Sequence, residues 1–314
     1  VLGATGVLQN ASDILTKDQL RLLKEAQTSA DPVMIVSEDE AKEAEKNKSD
    51  KTKVWHYKAQ NVRDFAFASS RKFIWDAMGV PFGDKVVMAM SYYPKEGNPL
   101  WEKYSTRIVA HTIKTYSKYT FDYPYPVAIS VHTAQIGMEY PMICFNGGRP
   151  DADGTYSEGT KFGMLGVIIH EVGHNYFPMI VNSDERQWTW MDEGLNTFLQ
   201  GIAEREWDSE WNNFAGNPRE IVYYMGGDQE SMVPIMTNSE SILQFNSNAY
   251  RKPAVALNVL RETVMGVELF DFAFKQYAQR WKFKHPTPED FFRTMEDASA
   301  VDLDWFWRGW FFGT

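Results

Sequence analysis

The chain has 314 residues, 44% of them hydrophobic, and 32 Lys and Arg against 42 Asp and Glu give a net charge of -10. That is enough apolar material for a core spread over two or three domains or lobes, and an acidic balance without a dense basic cluster excludes nucleic acid and anionic membrane surfaces as expected partners. The single cysteine, Cys144, excludes an intrachain disulfide, and no apolar run approaches the ~20 residues needed to span a bilayer.

The chain opens at Val1, without methionine and already reading as strand, so it is expected to be an internal segment of a longer protein. From Val1 to about Lys58 the pattern is strand-like, with Val33 to Val36 and Val54 to Tyr57 as candidate strands. Between them, Glu38 to Lys53 is a mixed-charge run almost without apolar side chains, expected to be a solvated, mobile loop. Residues 1–60 therefore read as the end of an amino-terminal β domain.

Residues 61–186 read as a mixed α/β lobe. Val86 to Tyr92 is a short apolar strand, and Asn98-Pro99 is a helix-start signal. The helix that follows places Trp101, Tyr104, Ile108 and Tyr116 at helical spacing. Val127 to Val131 and Met142 to Phe145 supply two more strands, with Ile136 to Pro141 leading into the second. Cys144 lies in this apolar run, where an inert buried thiol is expected. Asn146-Gly147-Gly148 reads as a turn, because no Lys-Ser/Thr pair follows it as in a phosphate cradle.

After a polar loop comes Val167-Ile168-Ile169-His170-Glu171-Val172-Gly173-His174. The stretch from Phe162 is apolar nearly all round, so the helix is expected inside the protein, where unpaired histidines and a carboxylate would be costly. On a helix, His170 and His174 stand one turn apart and both imidazoles can address a single ion, most simply zinc. Glu171 is then placed to take a proton from a water molecule at that ion. Gly163, Gly166 and Gly173 lower helix propensity and suggest that something packs closely on the helix.

Residues 187–314 read as a helical lobe. Candidate helices cover about Met191 to Trp207, Pro218 to Met225, Ala249 to Met265, Glu268 to Trp281, Pro288 to Ala298 and Trp305 to Phe312. Thr287-Pro288-Glu289-Asp290 is a clear helix start, with a hydroxyl cap, proline in the first turn and acids at the positive dipole end.

Two imidazoles leave a catalytic zinc one protein ligand short. Glu193, in Trp190-Met191-Asp192-Glu193-Gly194, follows His174 after 18 intervening residues, a length that permits one turn and a second helix alongside the first. This arrangement resembles the zinc aminopeptidases of the aminopeptidase N and leukotriene hydrolase family, a gluzincin group. The resemblance implies an α+β fold: a thermolysin-like zinc peptidase catalytic domain, with a mixed-sheet lobe and a helical lobe, preceded by the remnant of a β domain. It also implies a zinc-dependent aminopeptidase with one Zn2+ held by His170, His174 and Glu193, acting on peptides with a free amino terminus.

Gly137-Met138-Glu139-Tyr140 sits where the family carries Gly-x-Met-Glu-Asn, which implies that Gly137, Met138 and Glu139 bind substrate and that Glu139 takes its α-ammonium. Tyr140 replaces the usual asparagine. Ala249-Tyr250-Arg251-Lys252-Pro253-Ala254 resembles the family's Tyr-x-Lys-Gly block, which implies an oxyanion role for Tyr250; proline at 253 replaces glycine. Asp192 reads either as a support that orients a ligand histidine or as a helix-surface acid. Two other readings stay open: a zinc endopeptidase or other zinc hydrolase without amino-terminal selectivity, and an inactive zinc-containing binding module. Exported members of the family point towards the periplasm or the exterior.

Overall fold

A computed structural model describes residues 1–134, 136–212 and 214–314. By its internal contacts the chain divides into two units, Val1–Lys114 with Asp122–Asn175, and Thr115–Phe121 with Tyr176–Thr314.

The first unit opens with β1 (Leu2–Ala4), β2 (Val7–Leu8), α1 (Ala11–Ile14), α2 (Lys17–Ala26), β3 (Val33–Val36), α3 (Glu38–Lys46), β4 (Tyr57–Lys58) and β5 (Phe67–Ser69). Four of these elements differ from the sequence expectation. The stretch expected to be strand-like holds two helices, α1 and α2, the second started by a reciprocal cap between Thr16 and Gln19. The charged run beginning at Glu38 is not a loop: it forms α3 as far as Lys46. The Ser37 hydroxyl accepts from the Glu40 amide while the Glu40 carboxylate accepts from the Ser37 amide, a reciprocal cap. Lys42 pairs with Glu38 one turn back, and Ala41 is buried on the inner face. A charge run with its opposite signs spaced at i, i+4 is a solvated helix rather than disorder. The strand expected at Val54 to Tyr57 shrinks to the two residues of β4, paired with β2.

The core of this unit is a six-stranded mixed sheet. To β3 it adds β6 (Ile74–Phe82), β7 (Lys85–Tyr93), β8 (Val127–His132), β9 (Gly137–Tyr140) and β10 (Ile143–Asn146), in the order β3-β6-β7-β8-β10-β9. β6 and β7 form an antiparallel hairpin; β7, β8 and β10 run parallel; β9 closes the edge antiparallel to β10. β8 is buried along its whole length, as a central strand covered on both faces should be. Helix α4 (Leu100–Tyr119) follows β7, with Trp101, Ile108 and Tyr116 fully buried. A polar cluster lies beneath it: Asp76 of β6 accepts from Tyr93 at 2.6 Å and from Thr106, and Thr106 also reaches Ser91. Helix α5 (Glu158–Gly173) completes the unit.

The second unit is helical. It contains α6 (Leu195–Trp207), α7 (Arg219–Met225), α8 (Lys252–Val259), α9 (Val267–Trp281), α10 (Pro288–Ser299) and α11 (Asp304–Trp310). The start signal at Thr287 forms as expected, with a reciprocal cap between Thr287 and Asp290. Aromatic rings fill the core. Phe291 is fully buried, with Tyr277, Trp190 and Trp307 at ring-centroid distances of 4.8, 5.6 and 5.9 Å. Truncating such a ring typically costs about 3–5 kcal/mol. Two expected long helices are interrupted by wider π-helical turns, at Trp190–Gly194 ahead of α6 and at Asn246–Arg251 ahead of α8.

Candidate active site

The elements of the first unit bring five of the expected residues together. Ser157 caps α5 by accepting from the Thr160 amide, and the helix then runs buried through Leu165, Ile168, Ile169 and Val172. His170 sits on its last turn and His174 at its end, where the His174 amide donates to the His170 carbonyl at 3.1 Å. The two imidazoles meet edge to face, with Nε2 atoms 3.0 Å apart. Two ring lone pairs that close repel unless a proton or a cation lies between them. These two residues would together hold a single cation such as zinc, so they fit the metal that their spacing suggests.

Glu171 is 5% exposed and lies inside the same unit as the edge strand β9. Along β9, alternation puts Gly137 and Glu139 on one face and Met138 and Tyr140 on the other. The Gly137–Glu139 face meets α5. A Cβ built on Gly137 would lie 2.4 Å from Glu171 Oε1 and 2.9 Å from Val167 Cγ2, so a side chain there would displace the Glu171 carboxylate or the Val167 methyl group. Ligand atoms of Glu139, Glu171 and His174 all lie within 4.8 Å of one another. Met138 is 39% exposed, and Tyr140 packs edge-on against Phe145. At Gly163, by contrast, an added Cβ would meet nothing within 4 Å, so the close packing expected there is absent.

Sequence reasoning missed Asn175. Its side chain donates to the Val172 carbonyl at 3.0 Å and accepts from the Met142 amide at 2.8 Å. Met142 heads the short connection into β10 with a φ of 67°, so one buried amide ties the open carbonyls at the end of α5 to the β9–β10 turn. The available signal was a polar side chain directly after the second histidine of the His-Glu-x-x-His pattern and just past an apolar helix. Cys144, paired in register with Glu139, is buried, and burial pushes its thiol well above the ordinary range, which leaves it inert.

In the second unit, Glu193 and Tyr250 stand on separate π-helical turns and touch. The Tyr250 hydroxyl donates to Glu193 Oε1 at 2.7 Å. The first turn is anchored by Trp190, stacked on Phe292 and edge-on to Phe311. The second is anchored by Asn248, which accepts from Tyr224 at 2.8 Å and donates to the Leu243 carbonyl at 2.7 Å. Proline at 253 has a steric counterpart: a Cβ on Gly194 would lie 2.6 Å from Pro253 Cγ, so the two turns approach across a glycine and the proline ring. Asp192 is 5% exposed, which removes the helix-surface reading of that acid.

A helix carrying two converging histidines and a glutamate, an acid-bearing edge strand beside it, and a Glu-Tyr pair on a helical framework describe a metallopeptidase catalytic domain. The chain belongs to peptidase family M1: the family's domain model, "Peptidase family M1 domain", matches residues 104–310. Among curated relatives it is 20% identical over 230 residues to aminopeptidase M1-A of Oryza sativa subsp. japonica, covering 69% of this chain and 26% of that protein. It is 27% identical over 142 residues to glutamyl aminopeptidase of Rattus norvegicus, covering 43% of this chain and 15% of that protein. The chain thus spans about a quarter or less of the length of these relatives. Among solved structures, an M1 zinc metallopeptidase from Deinococcus radiodurans matches with a TM-score of 0.57 at 18% identity, over 75% of this chain and 50% of that one. Aminopeptidase A of Legionella pneumophila, solved in complex with aspartic acid, matches with a TM-score of 0.60 at 15% identity, over 79% and 29%. These likenesses bear out the α+β, aminopeptidase N-type fold expected from the motifs.

Proposed function

We propose that the chain is the catalytic part of a zinc-dependent aminopeptidase. The observation that carries this reading is the convergence of Glu139, Glu171 and His174 on one face of the edge strand, beside the His170–His174 pair. In this reading His170, His174 and Glu193 would hold the metal, and two nitrogens with a carboxylate are a donor set that suits one zinc ion. When bound, such an ion polarises a scissile carbonyl and makes water more acidic.

The chain's own residues do the rest. Glu171 takes the proton of the attacking water and returns it to the leaving amine, and its burial keeps bulk water from competing for that proton. Tyr250 donates a hydrogen bond to the oxyanion, a contact typically worth about 2.7 to 4 kcal/mol. In the structure that single proton is donated to Glu193 Oε1, so the hydroxyl has to turn from Glu193 to reach the oxyanion. Glu139 pairs with the substrate's α-ammonium and thereby selects the first peptide bond. Asp192 is assigned a supporting role through its buried place beside Glu193.

Turnover of a free-amine peptide compared with its N-acetylated twin tests the selectivity. Loss of the acetylated substrate by two orders of magnitude or more is expected, at about 1.4 kcal/mol per factor of ten for a lost buried ion pair. Equal cleavage would leave a zinc peptidase without amino-terminal selectivity.

A further inference from the structure

The first unit holds a cavity of about 290 Å³ that shares no lining residue with the candidate active site. Pro94 follows β7, Thr133 follows β8, and Arg149 lies just past β10, so it opens at the carboxyl ends of three neighbouring parallel strands. That end of an open parallel sheet is where α/β proteins gather ligands. The size suits a small molecule.

His132, 5% exposed and packed edge-on against Trp101, accepts from Arg149 Nε at 3.1 Å. Burial, with Arg149 beside it, holds this imidazole down at about 4, so its nitrogen remains an acceptor at neutral pH. The bond orients the guanidinium, which has no carboxylate partner among the described residues. Glu96 meets Lys72 through Oε1 at 3.4 Å, whereas its Oε2 is buried without a hydrogen-bond partner among the described residues, as is the Thr133 hydroxyl. Buried polar atoms without partners are rare and point to something missing from the site.

A cavity with a guanidinium held only by a neutral imidazole, and with a hydroxyl and a carboxylate oxygen that have no partner among the described residues, asks for both charges in one small ligand. A bare anion would leave the Glu96 oxygen unfilled and face its charge, and a bare cation would face Arg149 and Lys72. We infer that this cavity binds a free α-amino acid, its carboxylate on Arg149 and Thr133 and its ammonium on Glu96. The inference does not depend on the proposed peptidase activity.

Isothermal titration of the full chain with L-alanine and L-serine tests it, with N-acetyl-L-alanine and L-alaninamide as probes lacking one charge each. Both amino acids are expected to saturate, N-acetyl-L-alanine is expected not to bind, and L-alaninamide is expected not to bind once Glu139→Gln has removed the ammonium partner of the proposed peptidase site. Arg149→Gln, on an exposed side chain, and Glu96→Gln, on a partly exposed one, should each weaken binding by about tenfold or more. Because an aminopeptidase site would also accept a free amino acid, the titration is repeated on Glu139→Gln. Binding kept there and lost in Arg149→Gln assigns the cavity. Binding lost in Glu139→Gln and unchanged in Arg149→Gln overturns the inference and leaves the peptidase reading standing. Absence of saturable binding, or equal binding of N-acetyl-L-alanine, overturns it as well.

Discussion

Gly137→Ala is the smallest change that should disable the proposed general base. The backbone at Gly137 has an ordinary φ, so an added methyl group acts through contact alone. Its Cβ would sit 2.4 Å from Glu171 Oε1, and ordinary contact begins at 3.4 Å, so the carboxylate must withdraw by 3.4 − 2.4 = 1.0 Å. Val167 Cγ2, at 2.9 Å, blocks the alternative of moving the strand without cost. A misplacement of about 1 Å at a reacting group costs roughly 100-fold in rate, or about 2.7 kcal/mol of barrier. Steady-state kinetics on an amino-acyl arylamide should therefore show kcat down by about two orders of magnitude with KM nearly unchanged, since Glu139 still holds the ammonium. Overpacking should also cost about 1–3 kcal/mol in urea denaturation. Adding Val167→Ala separates the two effects: it should restore stability and leave kcat low. A Gly137→Ala enzyme within threefold of the parent kcat would refute the reasoning, because Glu171 would then have no fixed working position.

The other predictions concern separate parts of the chain. Glu171→Gln should abolish turnover while metal content stays at one zinc per chain by atomic absorption; turnover near the parent rate would remove the general-base role. Tyr250→Phe should lower kcat by about 100- to 1000-fold with unchanged zinc content, and a loss below tenfold would exclude the oxyanion role. Asp76→Asn should alter the pH profile of stability. Burial pushes Asp76 up to about 7 against the hydrogen bonds from Thr106 and Tyr93, so its contribution is full in acid and is lost as pH rises through that value. His132, held at about 4, works the other way, its contribution being lost as pH falls below the unfolded histidine range, and the two slopes oppose between about 4 and 6.5. Removing the acid should make variant stability gain on the parent by about 1.4 kcal/mol per pH unit over that window; parallel denaturation curves would show that Asp76 does not titrate there.

Where one signal dominated, the sequence was legible. The histidine-bearing helix needed only an apolar run with two histidines one turn apart, and α5 carries both where expected. β3 and the start of α10 were equally clear, the first from a compact β-branched run and the second from a hydroxyl cap with proline and acids behind it. The charged stretch at Glu38 was misread because composition was weighed above spacing. Its capping serine and the Glu38–Lys42 pair are a helix signature whatever the net polarity.

What stayed hidden depends on contacts between elements distant in sequence. Gly137 was assigned to substrate binding by resemblance alone, yet the demand for glycine comes from Glu171 and Val167 on a helix some thirty residues later. Asn175 has no motif, and its importance lies in joining Val172 to Met142. The same holds for the departure at Pro253. Against a motif it looks like damage, but its ring fills the space that Gly194 leaves on the facing turn. A glycine at 253 beside Gly194 would open a gap in the contact between the turns that present Glu193 and Tyr250. The two positions therefore have to be judged as a pair, one small and one ring-shaped, rather than as a match and a mismatch.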